Sequence, residues 1–199
     1  MIPDDLLVQQ IKAGDIDAFE TLVDRYQKQV YNIAYRYTGN QEDALDLAQE
    51  AFLKAYRGIN NFRQEAAFKT WIYHITSNVC KDFLRKIKKN NEVSLDAPIY
   101  TAEGEMEKQI VDNSIGPDGI YERKELLEAI QKAISSLPED HREVIILREI
   151  QQLSYEEIAE ILDCSLGTVK SRISRARGLL KDRAEAVKEQ FQLQLRQNR

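Results

Sequence analysis

From Phe19 to Tyr37 the apolar residues return at the interval of an α-helix. Phe19, Leu22, Val23, Tyr26, Val30, Ile33, Ala34 and Tyr37 keep i, i+3, i+4, i+7 spacing through five turns. Asp17 is the expected N-cap, and Gly39-Asn40 closes the run as a C-cap would. A second stripe follows in Ala44, Ala48, Ala51, Phe52, Ala55, Tyr56 and Ile59, with Asp43, Asp46, Gln49, Glu50 and Lys54 on its other side. A third runs through Phe68, Ile72, Ile75 and Val79 towards Phe83, and its far end supplies Lys81, Arg85, Lys86, Lys88 and Lys89. Three amphipathic helices with short connections make a small bundle. Gly and Pro together number only 12 of 199 residues, about half the usual share, which favours helices over strand-and-turn architectures. The expected class is all-α.

The charge divides the chain. Residues 1–89 carry 13 bases and 12 acids, residues 90–119 carry Lys108 against seven acids, and residues 120–199 carry 14 of each. The net charge of −5 therefore originates in the middle segment, which also holds Pro98, Gly104, Gly116, Pro117 and Gly119 and has no sustained helical period. It reads as an acidic, flexible linker between two helical domains. Within each domain the bases gather again: residues 69–89 and residues 170–183 each hold six bases and one acid. Two basic stripes on an acidic protein suggest two separate contacts with a polyanion, although either stripe alone could be a solvated helix face.

Between the second and third helices lies Asn60-Asn61-Phe62-Arg63-Gln64-Glu65, followed by Phe68, Lys69, Trp71 and Tyr73. Aromatics interleaved with bases and amides can stack on and hold unpaired nucleobases. Phe68 equally fits the core stripe, and Trp71 could simply flank it.

In the second domain Leu126, Ala129, Ile130, Ala133 and Ile134 begin an amphipathic helix, and Pro138 marks the start of the next. Ser154 with Glu157 matches a capping box, and Ile158, Ala159 and Leu162 give its helix an apolar face. Asp163-Cys164-Ser165 is a tight connection. Ser165 can cap a further helix with the stripe Val169, Ile173, Ala176 and Leu180. This is a helix-turn-helix pattern. The face opposite that stripe holds Thr168, Ser171, Ser174 and Arg175, flanked by Lys170, Arg172 and Arg177. Arg pairs bidentately with guanine, Ser and Thr take either partner, and flanking bases reach phosphates. A helical hairpin with an exposed basic face is the competing reading.

Other classes find little support. The longest purely aliphatic run, Val144 to Leu147, is far short of the ~20 apolar residues of a membrane span. The start has no basic n-region or apolar h-region, so secretion is not expected. Cys80 and Cys164 are far apart with no CxxC or Cys/His cluster, which suits a reduced cytoplasmic setting and argues against a disulfide or zinc site. With only His74 and His141, no Gly-rich phosphate loop and no nucleophile–base signature, neither enzyme nor cofactor chemistry is expected.

Taken together, residues 5–183 resemble an extracytoplasmic-function sigma factor, the two-domain class of bacterial RNA polymerase sigma subunits. Asp43–Tyr56 looks like the family's polymerase-binding helix, which implies core contacts from Asp43, Asp46, Gln49, Glu50 and Lys54. Phe62 with Phe68–Asn78, then Asp82 and Arg85, looks like its promoter-melting and minus-ten-reading region. That implies DNA contacts from Asn60, Asn61, Phe62, Lys69, Trp71, Tyr73, Asn78, Lys81 and Arg85. Ser154–Arg177 looks like its minus-35-reading element, with Thr168, Lys170, Ser171, Arg172, Ser174, Arg175 and Arg177 as the contacts. The family commonly has Gly where Gln64 stands and Arg where His74 stands. The implied organisation is a sigma-2-like bundle at 1–89, an acidic linker at 90–119, a sigma-4-like helix-turn-helix domain at 120–183 and a tail at 184–199 read as a frayed helix. The implied partners are core RNA polymerase, promoter DNA as duplex and melted strand, and an anti-sigma factor, which in this family is frequently membrane-anchored. The alternative is a helix-turn-helix regulator with an N-terminal sensing or dimerisation domain. It leaves the acid and amide face of the second helix, and the aromatics beside a basic helix, without a purpose.

Overall fold

The computed structural model describes the backbone at residues 2–93 and 117–197, and side chains at residues 2–89 and 126–185. Every regular element among the described residues is helical. The chain divides into two compact units: one carries the helices before residue 94 together with Glu160–Asp163, the other the remaining helical residues after residue 116.

The first unit contains α1 (Asp4–Lys12), α2 (Ile16–Thr38), α3 (Gln41–Gly58), a 3-10 turn (Ile59–Asn61) and α4 (Phe68–Val93). Asp15, rather than Asp17, caps α2, accepting the backbone N–H groups of Asp17 and Ala18 at 3.0 and 3.3 Å. The shift has a local cause: Gly14, at φ 100°, turns the chain out of α1 early enough for α2 to begin at Ile16. Gly39 (φ 72°) closes α2, and the Asn40 side chain caps α3 through Glu42 and Asp43 at 2.8 and 3.2 Å. The core is made of the expected stripes. Leu22, Val30, Ile33, Ala34, Ala44, Ala51, Ala55, Phe68 and Ile72 are all fully buried. The alanines of α3 allow close approach to α2 and α4, which pack on it and on each other. Tyr56, assigned by periodicity to the buried stripe, is 42% exposed at its edge and meets Phe19 edge-on at 5.0 Å. α1, which the periodicity argument left unassigned, buries Leu7, Val8 and Ile11 and packs on α2.

The second unit contains α5 (Pro117–Ser135), α6 (Glu139–Ile145), a π-helical turn (Ile146–Ile150), α7 (Tyr155–Ile161) and α8 (Leu166–Gln197). Helical structure enters the segment expected to be linker from both sides, because α4 runs on to Val93 and α5 starts at Pro117. Proline suits a first helical position, where its missing N–H would have had no partner. The rest of the acidic segment, residues 94–116, lies outside the described residues. The α8 backbone stays helical to Gln197. The side chains of the tail beyond Glu185 lie outside the described residues. In the π-helical turn the Gln151 N–H reaches the Ile146 carbonyl at 3.1 Å, and Gln152, at φ 53°, ends it. Arg148 then donates to the Leu153 carbonyl at 2.5 Å and lies 4.9 Å from the Tyr155 ring centre, fixing the approach to α7. Among the described residues no helix is long and apolar enough to cross a membrane.

Candidate nucleic-acid interface

The helix-turn-helix forms as its capping pattern requires. The Ser154 N–H donates to Glu157 Oε2 at 2.7 Å, and the Glu157 N–H donates back to Ser154 Oγ at 3.1 Å. Asp163 takes a left-handed conformation (φ 47°) in the turn, which Asp tolerates better than most residues. Ser165 Oγ then accepts the Thr168 N–H at 3.1 Å and caps α8. Val169, Ile173 and Ala176 are buried, which leaves Lys170, Ser171, Ser174 and Arg175 exposed on the other side. Thr168 is half-buried, its hydroxyl 2.8 Å from Ser165 Oγ. Arg172 and Arg177 are tied to acids of the same unit: Arg172 to Asp140 at 2.7 Å, and Arg177 to Glu149 at 2.7 Å. The sequence contains both acids, but only the fold places them beside α8.

In the first unit the loop and α4 carry the other expected nucleic-acid contacts. Asn60 and Asn61 are exposed on the 3-10 turn. Two aromatics depart from expectation. Phe62, expected to meet a base, is only 6% exposed, stacks on Trp71 at 4.5 Å and meets Phe68 edge-on at 6.2 Å. Tyr73, also expected at the DNA, is 1% exposed. Phe62 turns inward because the 3-10 turn folds the loop back over the start of α4, and Tyr73 lies on the buried side of α4; burying either ring outweighs leaving it in water. Trp71 is the half-exposed aromatic, wedged between Phe62 and Gly58, where a Cβ would stand 3.4 Å from the indole. Further along α4, Lys69 lies 6.0 Å from the Tyr73 ring centre, and Asn78 bonds His74 at 2.9 Å. Lys81 is half-buried, and Arg85 is exposed and 3.8 Å from Asp82. Burial, then nearby Lys81, push the His74 imidazole below its ordinary value.

On α3 the polar set holds together as one exposed side. Asp46, Gln49 and Glu50 are exposed, Glu50 pairs with Lys54 at 3.0 Å, and Asp43 is half-buried in the first turn. Partial burial, then Asp46 and Glu42, raise the Asp43 carboxyl above its ordinary value. Leu53, 54% exposed, falls among these polar residues, and periodicity had not singled it out. Its signal was present in the spacing: at 100° per residue Leu53 sits opposite the alanine stripe.

One helical unit bears a helix-turn-helix and the other a base-rich helix beside an acidic one, an arrangement suited to a DNA-binding protein. Comparison with known proteins identifies the class more closely. Residues 22–90 match the model for Sigma-70 region 2, and residues 127–180 match that for Sigma-70, region 4. The chain is 42% identical over 175 residues to the ECF RNA polymerase sigma factor SigW of Bacillus subtilis (strain 168), covering 87% of this chain and 92% of that protein. It is 39% identical over 190 residues to the ECF RNA polymerase sigma-E factor of Escherichia coli (strain K12), covering 94% and 96%. In structure it is similar to the sigma factor RpoE of Bartonella quintana, solved in complex with the anti-sigma factor NepR. That match has 26% identity and a TM-score of 0.66, and covers 84% of this chain and 96% of that one. The chain belongs to the ECF RNA polymerase sigma factors. It is a sigma factor that directs promoter-specific transcription initiation.

Proposed function

We propose a division of that activity among three surfaces. The exposed side of α3, with Asp43, Asp46, Gln49, Glu50 and Lys54 around Leu53, takes a basic surface of core RNA polymerase. The loop at Asn60–Glu65 and the side of α4 bearing Lys69, Trp71, Asn78, Lys81 and Arg85 meet the minus-ten element as it opens. Lys170, Ser171, Ser174 and Arg175 read base edges of the minus-35 element, with Arg172 and Arg177 on its phosphates. Residues 1–89 and 120–183 are the respective working domains, joined by the acidic segment.

One observation carries this reading. The N-terminal turns of α8 leave two short hydroxyls and a guanidinium exposed on the side away from a fully buried stripe, as a helix entering a major groove requires. The protein works in the cytoplasm, where polymerase and chromosome are, and contributes binding and positioning rather than bond-making chemistry. Its likeness to RpoE of Bartonella quintana supports control by an anti-sigma factor that covers these surfaces. In-vitro transcription with core polymerase over a genomic promoter library, native chain against Arg175→Ala, tests the assignment. A variant that recovers the same promoters in the same order refutes the minus-35 role.

A further inference from the structure

The loop that the proposed function places at the minus-ten element is held by α1. The Lys12 ammonium, at the end of α1, donates to the Phe62 carbonyl at 2.5 Å. The Gln64 side-chain amide donates to the Asp5 carbonyl, in the first turn of the same helix, at 3.0 Å. Gln64 is in the left-handed region at φ 57°, a conformation a glutamine adopts only when its surroundings fix it. The loop's further polar contacts are local: the Phe62 N–H donates to the Ile59 carbonyl at 3.2 Å, and Arg63 and Glu65 form an exposed pair at 4.0 Å.

α1 itself is anchored to α2 by apolar and polar contacts. Leu7, Val8 and Ile11 are buried. The Asp4 carboxylate accepts hydrogen bonds from Arg25 and from the Tyr26 hydroxyl on α2, and Arg25 also donates to the Ile2 carbonyl at 2.8 Å. The Tyr26 ring lies 5.6 Å from Phe68, which in turn touches Phe62 and Trp71. The loop is thus clamped between an aromatic floor and a helix whose sequence has no DNA-reading pattern.

We infer that α1 is a brace for promoter reading, with Lys12 and Gln64 as positioning residues that hold the Asn60–Glu65 loop in the shape that accepts an unpaired minus-ten base. The inference rests on the proposed placement of that loop. The brace acts through backbone carbonyl groups, so it sets the direction of the Asn60 and Asn61 side chains without touching DNA. A charged-donor hydrogen bond is among the stronger ones available at a partly exposed site.

The test uses holoenzyme assembled from the full chain and core RNA polymerase, on a promoter recovered from a genomic library and then varied base by base across its minus-ten element. Gln64→Glu keeps side-chain length, Lys12→Met keeps the unbranched stem one atom shorter, and each removes the donor. Each is expected to open duplex promoter about tenfold more slowly by permanganate reactivity, and to discriminate less among minus-ten bases. Lys12→Arg, which restores a donor, is expected to recover both, and core affinity should not change in any of them. Gln64→Gly, which cuts the second tether while keeping a left-handed backbone unstrained, guards against a folding artefact and should show the same loss of discrimination. Native opening and base preference in Lys12→Met and Gln64→Gly, with Asn61→Ala impaired, overturns the brace and leaves the loop's role standing. A loss equal on every promoter variant and not restored by Lys12→Arg shows a merely structural bond and also overturns it. If Asn60→Ala and Asn61→Ala are themselves without effect, the loop does not read the element, and placement and brace fall together.

Discussion

Arg177 sets its Nε and Nη2 on one carboxylate oxygen of Glu149, at 3.1 and 2.7 Å, across 28 residues of sequence. Both side chains are about half exposed, so the pair contributes only ~0.2–1 kcal/mol to stability. Its weight under the proposed minus-35 reading is on DNA binding, where the Glu149 carboxylate competes with a phosphate for the Arg177 guanidinium. Glu149→Gln is expected to tighten holoenzyme binding to all promoters several-fold. Arg177→Ala should weaken all of them alike and reduce the log–log salt slope by about one. Equilibrium binding across a salt series measures both. Weaker binding by Glu149→Gln would show that the acid presents the guanidinium to DNA instead of competing with it.

Arg175 is exposed on the side of α8 proposed to read bases and, among the described residues, makes no ion pair. Its replacement by Ala should cost selectivity more than affinity, relaxing one or two minus-35 positions by ~1–3 kcal/mol per base pair. Competition between promoters that differ at single minus-35 positions reads this directly.

Reversing charge on α3 tests the proposed polymerase surface. Asp46→Lys and Glu50→Lys lie on exposed positions, so helicity and melting temperature should hold while core affinity falls by roughly 1–3 kcal/mol per reversed charge. A core-binding titration with unchanged affinity would refute the assignment.

Phe62 is a packing residue first. Phe62→Ala removes a ring stacked at 4.5 Å on Trp71 and should destabilise the first unit by about 3–5 kcal/mol. Urea unfolding of the variant checks this. Any opening defect it shows must be compared with that of a loop-tip variant such as Asn61→Ala before it is read as a loss of base stacking.

Tyr26 gives the fold an alkaline limit. Burial first, and then its hydrogen bond to Asp4, raise the phenol well above its ordinary value of 10.0. Above that pH the unfolded chain releases the proton and the folded chain keeps it, so stability falls as pH rises towards the folded value. Tyr26→Phe should flatten this part of the profile. Urea midpoints of both proteins at pH 9 and above provide the check.

Much of the architecture could be read from local pattern. The stripe from Phe19 to Tyr37 became α2, and the Ser154/Glu157 reciprocity and the Ser165 cap formed as drawn, because each depends on residues three or four apart. Ser171, Ser174 and Arg175 faced outward for the same reason: a helix whose buried side is known has its exposed side determined. α1 was harder to read. Its buried residues Leu7, Val8 and Ile11 span little more than one turn, too short for a period to declare itself.

By itself, then, the sequence determined that the chain is two helical parts, where the helix-turn-helix lies, and which faces of α2, α3 and α8 turn inward. All of these follow from capping and periodicity, which act over a single turn. Only the tertiary structure decided that Phe62 and Tyr73 lie inside, that Lys12 and Gln64 tie the loop to α1, and that Arg172 and Arg177 meet Asp140 and Glu149. Those outcomes depend on which surfaces come together after the helices have formed. A loop aromatic is buried or exposed by what packs over it, and an arginine is paired or open by which acid another helix brings within reach.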